Sequence, residues 1–325
     1  MSRIVFTGIL AALFFSSTFV LNRAMSLEGG HWFWSAALRY VWMLGLLVGW
    51  LALVGKARLA WSAMGLFRRH WLFWSVAGSV GFGVFYALIT FSSTYAPGWV
   101  VAATWQMTIL ATPVVLLGFG RKVPGKALLL TLLVFAGVLL INVEQAGAFP
   151  LRDVLLGALP VLGAAFAYPL GNQMVWESRE AGAARQKQGE HVPWLRRSIP
   201  AIAHPAMDDA LCRVLLLTVG SLPLWGVLGL CVQPPPPSAG QWGMTLLVAV
   251  FSGVAATSLF LSARHMAQRP SELAAADCTQ AMEVVFSLAG EAVLLGGALP
   301  HAMGWAGIAL TLLGLALYLR VQNMG

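Results

Sequence analysis

Charge is scarce in this chain: only 10% of its 325 residues are Asp, Glu, Lys or Arg. Soluble domains carry about 25%, so an ordinary water-exposed globular surface is excluded. Cysteine is scarce too. Cys212, Cys231 and Cys278 lie far apart in apolar stretches, and no C-x-x-C or His-rich spacing offers a metal site or redox pair. No G-x-x-x-x-G-K-[ST] loop is present to cradle phosphate, and no H-E-x-x-H or G-x-S-x-G to mark a hydrolase. The residues therefore call for no cofactor and no metal, and nothing has the form of a soluble catalytic or receptor domain.

What the chain has instead is apolar length. Mean hydropathy is +0.78, and runs such as "RIVFTGILAALFFSSTFVLN" and "WSAALRYVWMLGLLVGWLALVG" approach or exceed the roughly 20 residues that cross a bilayer as a helix. The pattern predicts an all-α membrane protein with ten spans, near 4–22, 31–54, 71–93, 97–119, 127–143, 151–175, 208–231, 241–263, 273–296 and 302–319. The net charge of +8 then reads as topology. With the N-terminus cytoplasmic, Arg23 and Arg152 alone fall outside and Arg39 falls within helix 2. The other basic residues, Lys122, Arg185, Lys187, Arg213 and Arg269 among them, fall inside. That asymmetry is the positive-inside rule. It places both termini in the cytoplasm, and it explains the basic balance without a nucleic-acid partner.

The chain also echoes itself. "GILAALFFSSTFVLNRAM" lies over "GALPVLGAAFAYPLGNQM" without a gap, matching Gly8 with Gly157, Leu21 with Leu170 and Met25 with Met174. "ALRYV" echoes "ALCRV", setting Arg39 over Arg213, and "GVFYALITFS" echoes "GVAATSLFLS", setting Gly83 over Gly253. Five helices per copy is an odd number, so the second copy enters the bilayer upside down, an arrangement of secondary transporters with the substrate site near the midplane. The expected units are 1–143, the first repeat; 144–175, the sixth helix and its preceding loop, opening the second repeat; 176–207, a cytoplasmic linker; and 208–325, helices 7 to 10.

The chemistry concentrates in helix 9, "DCTQAMEVVFSLAGE". At about 100° per residue, Asp277, Gln280, Glu283, Ser287 and Glu291 share one stripe roughly 120° wide. Charge facing lipid is costly, so such a stripe faces the bundle interior or a water-filled cavity. Two structural ion pairs are expected from level, Arg39 with Glu291 and Arg213 with Asp277. Glu283, near the midplane, is left as the candidate to bind a proton or a cation. The alternative is a permanently neutral Glu283 hydrogen-bonded to Gln280 or Thr279. Further midplane candidates are Ser16, Thr18, Asn22, Tyr86, Trp105, Gln106, Tyr168 and Asn172. Pro113, Pro160 and Pro169 are expected to interrupt helices 4 and 6, and Trp32, Trp34, Trp71, Trp99, Trp242 and Trp305 to anchor helix ends at the interface.

Ten helices as two inverted repeats, with Arg in the second helix and "GE" ending the ninth, resemble the drug/metabolite transporter superfamily (EamA-like). More narrowly, "FFSSTFVLNRAMSLEGGHWFWSAALRY" and "PGWVVAATWQMTI" resemble its bacterial multidrug resistance efflux transporters. The resemblance covers nearly the whole chain. It implies export of drugs or metabolites through the cytoplasmic membrane by alternating access, with the bilayer and a small molecule as partners; coupling to protons is this reading's own first expectation. The four-helix relatives use a glutamate of their first helix for both drug and proton. Helix 1 here has no acid, so that role passes to no matching residue, and Glu283 is a candidate from another helix. A gradient-driven facilitator or exchanger of metabolites such as amino acids is the second reading. A membrane-embedded enzyme or scaffold is a remote third.

Overall fold

A computed structural model describes residues 2–121, 125–183, 194–267 and 270–322. Among the described residues there are helices and connecting turns but no strand. Nine of these helices are long and apolar enough to cross a membrane. They are α1 (Ser2–Leu27), α2 (Trp32–Leu53), α3 (Trp71–Tyr95), α4 (Gly98–Gly118), α5 (Leu129–Ala148), α6 (Leu151–Gly182), α7 (Ala210–Val232), α8 (Ala239–Arg264) and α9 (Ala275–Leu295). The last helix, α10 (Ala302–Gln322), has a shorter apolar stretch, Ala302–Tyr318. Lys122, Arg185, Lys187 and Arg269, which the charge count puts inside, lie outside the described residues.

Local chemistry sets several boundaries. His31 caps α2 by accepting the Phe33 N–H on Nδ1, Asp209 caps α7 at Cys212, and Ser238 caps α8 at Gln241. The run of prolines after α7 follows Gln233, whose positive φ of 46° closes that helix. Two features depart from the sequence-based map. A short helix, Ala57–Arg69, lies between α2 and α3 with Ala63 and Leu66 buried. And α6 runs on past 175, so the expected linker begins as helix.

The described ends of that linker are also tied down. The Glu177 carboxylate, 2% exposed, receives Arg121 through Nε and Nη2, Gln173 through Nε2 and Arg196 through Nε, each at 2.8 Å. Ser178 Oγ donates to the Pro200 carbonyl, and Ile202, Ala206 and Met207 are buried against α7 and its neighbours. These described parts of the segment, at Glu177, Ser178, Ile202, Ala206 and Met207, belong to the core.

The backbone of four helices is irregular near the middle. α3 widens to a π-helix over Ser79–Val84 and α8 over Ala249–Ala256. α4 breaks at Gln106 and Met107, and α9 tightens to a 3-10 turn at Thr279–Ala281. The prolines act differently from expectation. α6 stays continuous through Pro160 and Pro169. In α4 the break precedes Pro113: Ile109 donates to Gln106 and Leu110 to Met107, each at 3.0 Å, in i→i−3 steps. Inside lipid every freed backbone group must find a local partner, and this tightening supplies one in α4.

α1 packs on α8 and α9, α6 on α3, α2 on α7 and α8, and α5 on α10. The α3–α6 crossing is backbone on backbone. A Cβ on Gly81 would stand 2.9 Å from Gly171 Cα, so only glycine permits this approach.

Candidate functional site

The irregular backbone surrounds a cluster of polar and aromatic side chains. A π-helical turn leaves a main-chain carbonyl open to an outside donor. Tyr40 of α2 takes that opportunity, its hydroxyl donating to the Phe82 carbonyl at 2.8 Å. The neighbouring Arg39 donates from Nη2 to Ser252 Oγ, in the π segment of α8, at 3.3 Å. Its guanidinium lies 4.0 Å from the centroid of the Tyr86 ring, within reach of cation–π attraction. Asn22 of α1 completes the contact by donating to the Tyr86 hydroxyl at 3.0 Å.

Beside these lies a wall of rings. Phe85 is 4.9 Å from Trp105 and 5.0 Å from Tyr168, Trp105 is 5.6 Å from Tyr168, and Tyr40 stacks on Trp225. Tyr168 is 37% exposed. It is flanked by the Phe85 and Trp105 rings.

Of the five stripe residues, α9 buries Glu283, Ser287 and Glu291 at 6%, 0% and 5% exposure, while Asp277 and Gln280 are only partly buried. Glu283 makes no hydrogen bond or ion pair among the described residues. The partners expected for a neutral Glu283 are turned elsewhere: Thr279 donates to the Ala276 carbonyl at 2.6 Å, and Gln280 Nε2 is buried without an acceptor. Gln106 and Asn172 bond to their own helices, at Ala102 and Tyr168. Of the candidates read from sequence, contacts thus join Asn22, Arg39, Tyr86, Trp105 and Tyr168, and Val284 and Leu288, on the helix that carries Glu283, pack into the same cluster. Sequence reasoning missed Tyr40, Phe85 and Ser252, though Ser252 lies in the small-residue run "FSGVAATS".

The two expected ion pairs are replaced by others. Glu291 lies 4.0 Å from Arg23, not beside Arg39, and its Oε2 accepts the Trp99 N–H at 3.1 Å. Arg23 also donates to the Ser93 and Thr94 carbonyls at the end of α3. Helix ends explain the choice, since an anion is favoured at the N-terminus of α4 and a cation at the C-terminus of α3. Trp99 is consequently 2% exposed and is no interfacial anchor. Asp277 lies 3.5 Å from Arg264, while Arg213 donates to the Met207 carbonyl. A cleft of about 270 Å³ opens at the Glu291 end, lined by Arg23, Trp99, Glu144, Gln145, Glu291 and His301. Glu144 there caps α10 by accepting the His301 and Gly304 N–H groups at 2.9 and 2.5 Å.

A helical bundle of membrane-spanning length, holding charge and irregular backbone at its centre, has the general form of a membrane transporter. The chain belongs to the EmrE family, described as "Putative multidrug resistance efflux transporter", whose model matches residues 2–324. It is 36% identical to the uncharacterized protein YjlA of Bacillus subtilis (strain 168), over 97% of this chain and 94% of that one. It is 34% identical to an uncharacterized 42.1 kDa protein of Shouchella clausii, over 85% of this chain and 69% of that one. A solved crystal structure, 16% identical, matches 100% of this chain and 98% of its own with a TM-score of 0.60. That likeness shows the fold alone.

Proposed function

We propose that the chain exports small organic molecules across the bacterial cytoplasmic membrane by alternating access, with Glu283 exchanging protons. One observation carries the reading: the irregular segments fall in matching places. The π segments beginning at Ser79 and Ala249 coincide in the register that sets Gly83 over Gly253. The breaks of α4 and α9 coincide when Gln106 is set over Gln280. Discontinuous helices in corresponding positions of two halves are a mark of inverted-repeat transporters.

In this reading α10 is the tenth span, residues 1–143 form one repeat and the second begins at 144, with 176–207 inside it, and both termini are cytoplasmic. Contacts support it, because α1 on α8 has its counterpart in α6 on α3. The direction, outward, follows the family's description.

The test is release of trapped ethidium, as a drug-like probe, and of phenylalanine, as a metabolite-like one, from proteoliposomes. Release accelerated by acid outside is the expected result. Release indifferent to the gradient would mean an uncoupled facilitator or exchanger. No release of either probe beyond protein-free vesicles would remove the transport reading.

A further inference from the structure

Among the described residues, Arg39 is a buried cation without a counter-charge. It is 9% exposed, its Nε is buried with no acceptor, and its Nη2 donates to a neutral hydroxyl. Among the described residues no carboxylate pairs with it. A lone buried charge is costly, and the Tyr86 ring face offsets only part of that cost. Arg213, its counterpart in the second half, is satisfied by the Met207 carbonyl. Glu283 is the opposite case, a buried carboxylate likewise without an ion-pair partner among the described residues. Val284 and Leu288, on the helix that carries Glu283, pack in one buried cluster with Tyr86 and with Tyr40, the neighbour of Arg39, and Phe85 and Trp105 lie against that cluster.

Charge balance then discriminates among occupants. A cation taken by Glu283 leaves Arg39 alone, and an anion taken by Arg39 leaves Glu283 alone. A zwitterion satisfies both. The guanidinium fork matches a carboxylate in two parallel bonds, and Phe85, Trp105 and Tyr168 offer ring faces to a flat apolar body. We propose that the cargo is a small zwitterion, its carboxylate on Arg39, its ammonium toward Glu283 and its body against that ring wall. This rests on the transport reading and adds the substrate class to it.

Three probes share one skeleton and differ in charge: phenylalanine, phenethylamine and 3-phenylpropanoate. Counterflow into proteoliposomes should favour phenylalanine over either of the others by about tenfold or more. Arg39→Gln should remove the discrimination against phenethylamine, Arg39→Lys should restore part of it, and Glu283→Gln should remove the discrimination against 3-phenylpropanoate. A wild-type protein that prefers phenethylamine, or ranks the three equally, overturns the proposal with no variant needed. Movement of ethidium without phenylalanine leaves transport standing and the zwitterion overturned; movement of neither overturns both.

Discussion

Glu291 Oε2 accepts the backbone N–H of Trp99 at 3.1 Å, so a carboxylate carried by α9 closes the first turn of α4. The same group lies 4.0 Å from Arg23, which caps the end of α3. One residue thus ties α1, α3, α4 and α9 together at one end of the bundle.

Glu291→Gln keeps the size of the side chain and loses its charge. Hydrogen bonds to charged groups contribute about 1.5–3 kcal/mol, and a loss in the lower part of that range is expected in thermal unfolding, because the Arg23 contact is long. A double-mutant cycle identifies the partner. Arg23 and Glu291 should show coupling, whereas Arg39 and Glu291 should be additive within about 0.5 kcal/mol. Strong Arg39–Glu291 coupling would restore the pairing expected from sequence.

The Lys56–Asp209 pair, at 2.6 Å, fixes the approach to α7 and makes a pH prediction. Burial raises the Asp209 carboxyl, but the Lys56 hydrogen bond, the Cys212 amide and the Lys56 charge more than offset this, leaving it below its ordinary 3.8. Lys56 is held above 10.5, chiefly by its hydrogen bond to Asp209. The lowered Asp209 stabilises the fold above pH 3.8 and loses that effect as pH falls through its folded value. The raised Lys56 stabilises it below pH 10.5 and loses that effect as pH rises through its folded value. Lys56→Met should therefore melt below wild type across neutral pH, the gap closing at both extremes. A gap that persists unchanged under strong acid would argue that the pair is not its source.

Much of the fold was legible because lipid imposes a simple rule: a span must be long, apolar and helical. The stripe of α9 was legible for the same reason, as Glu283, Ser287 and Glu291 are all buried. What could not be read was which partner each charge takes. Level along the membrane suggested Arg39 for Glu291, but helix termini are charges too, and their positions depend on packing that no periodicity encodes. The π segments were hidden likewise, since "SVGFGV" and "AVFSGVAA" read as ordinary apolar helix. Glu177 escaped notice because its ligands, Arg121 and Arg196, come from distant segments.

Glu177 provides a third prediction. With Arg121 and Arg196 both on a carboxylate that is 2% exposed, Glu177→Gln strands two cations. Removing one member of a buried pair costs about 3–5 kcal/mol. The arginine side chains are 33% and 30% exposed, so water recovers part of the loss, and the low end of that range or less is expected. Limited proteolysis between 194 and 200 should also accelerate, because the Arg196–Glu177 pair and the Ser178–Pro200 bond hold that stretch. Unchanged cleavage alongside unchanged melting would mean that the network holds nothing in place.

Glu283→Gln separates a structural acid from a working one. Having no hydrogen-bond or ion-pair partner among the described residues, Glu283 supports no visible contact that a neutral amide would break, and the variant should melt close to wild type. Its effect should appear in transport. Release from proteoliposomes under an acid-outside gradient should lose its acceleration, a coupling on the order of tenfold, while exchange at equal pH on both sides persists. Retention of the gradient response in Glu283→Gln would place the proton on another group. A large loss of stability would mean that the carboxylate is a structural element of the bundle.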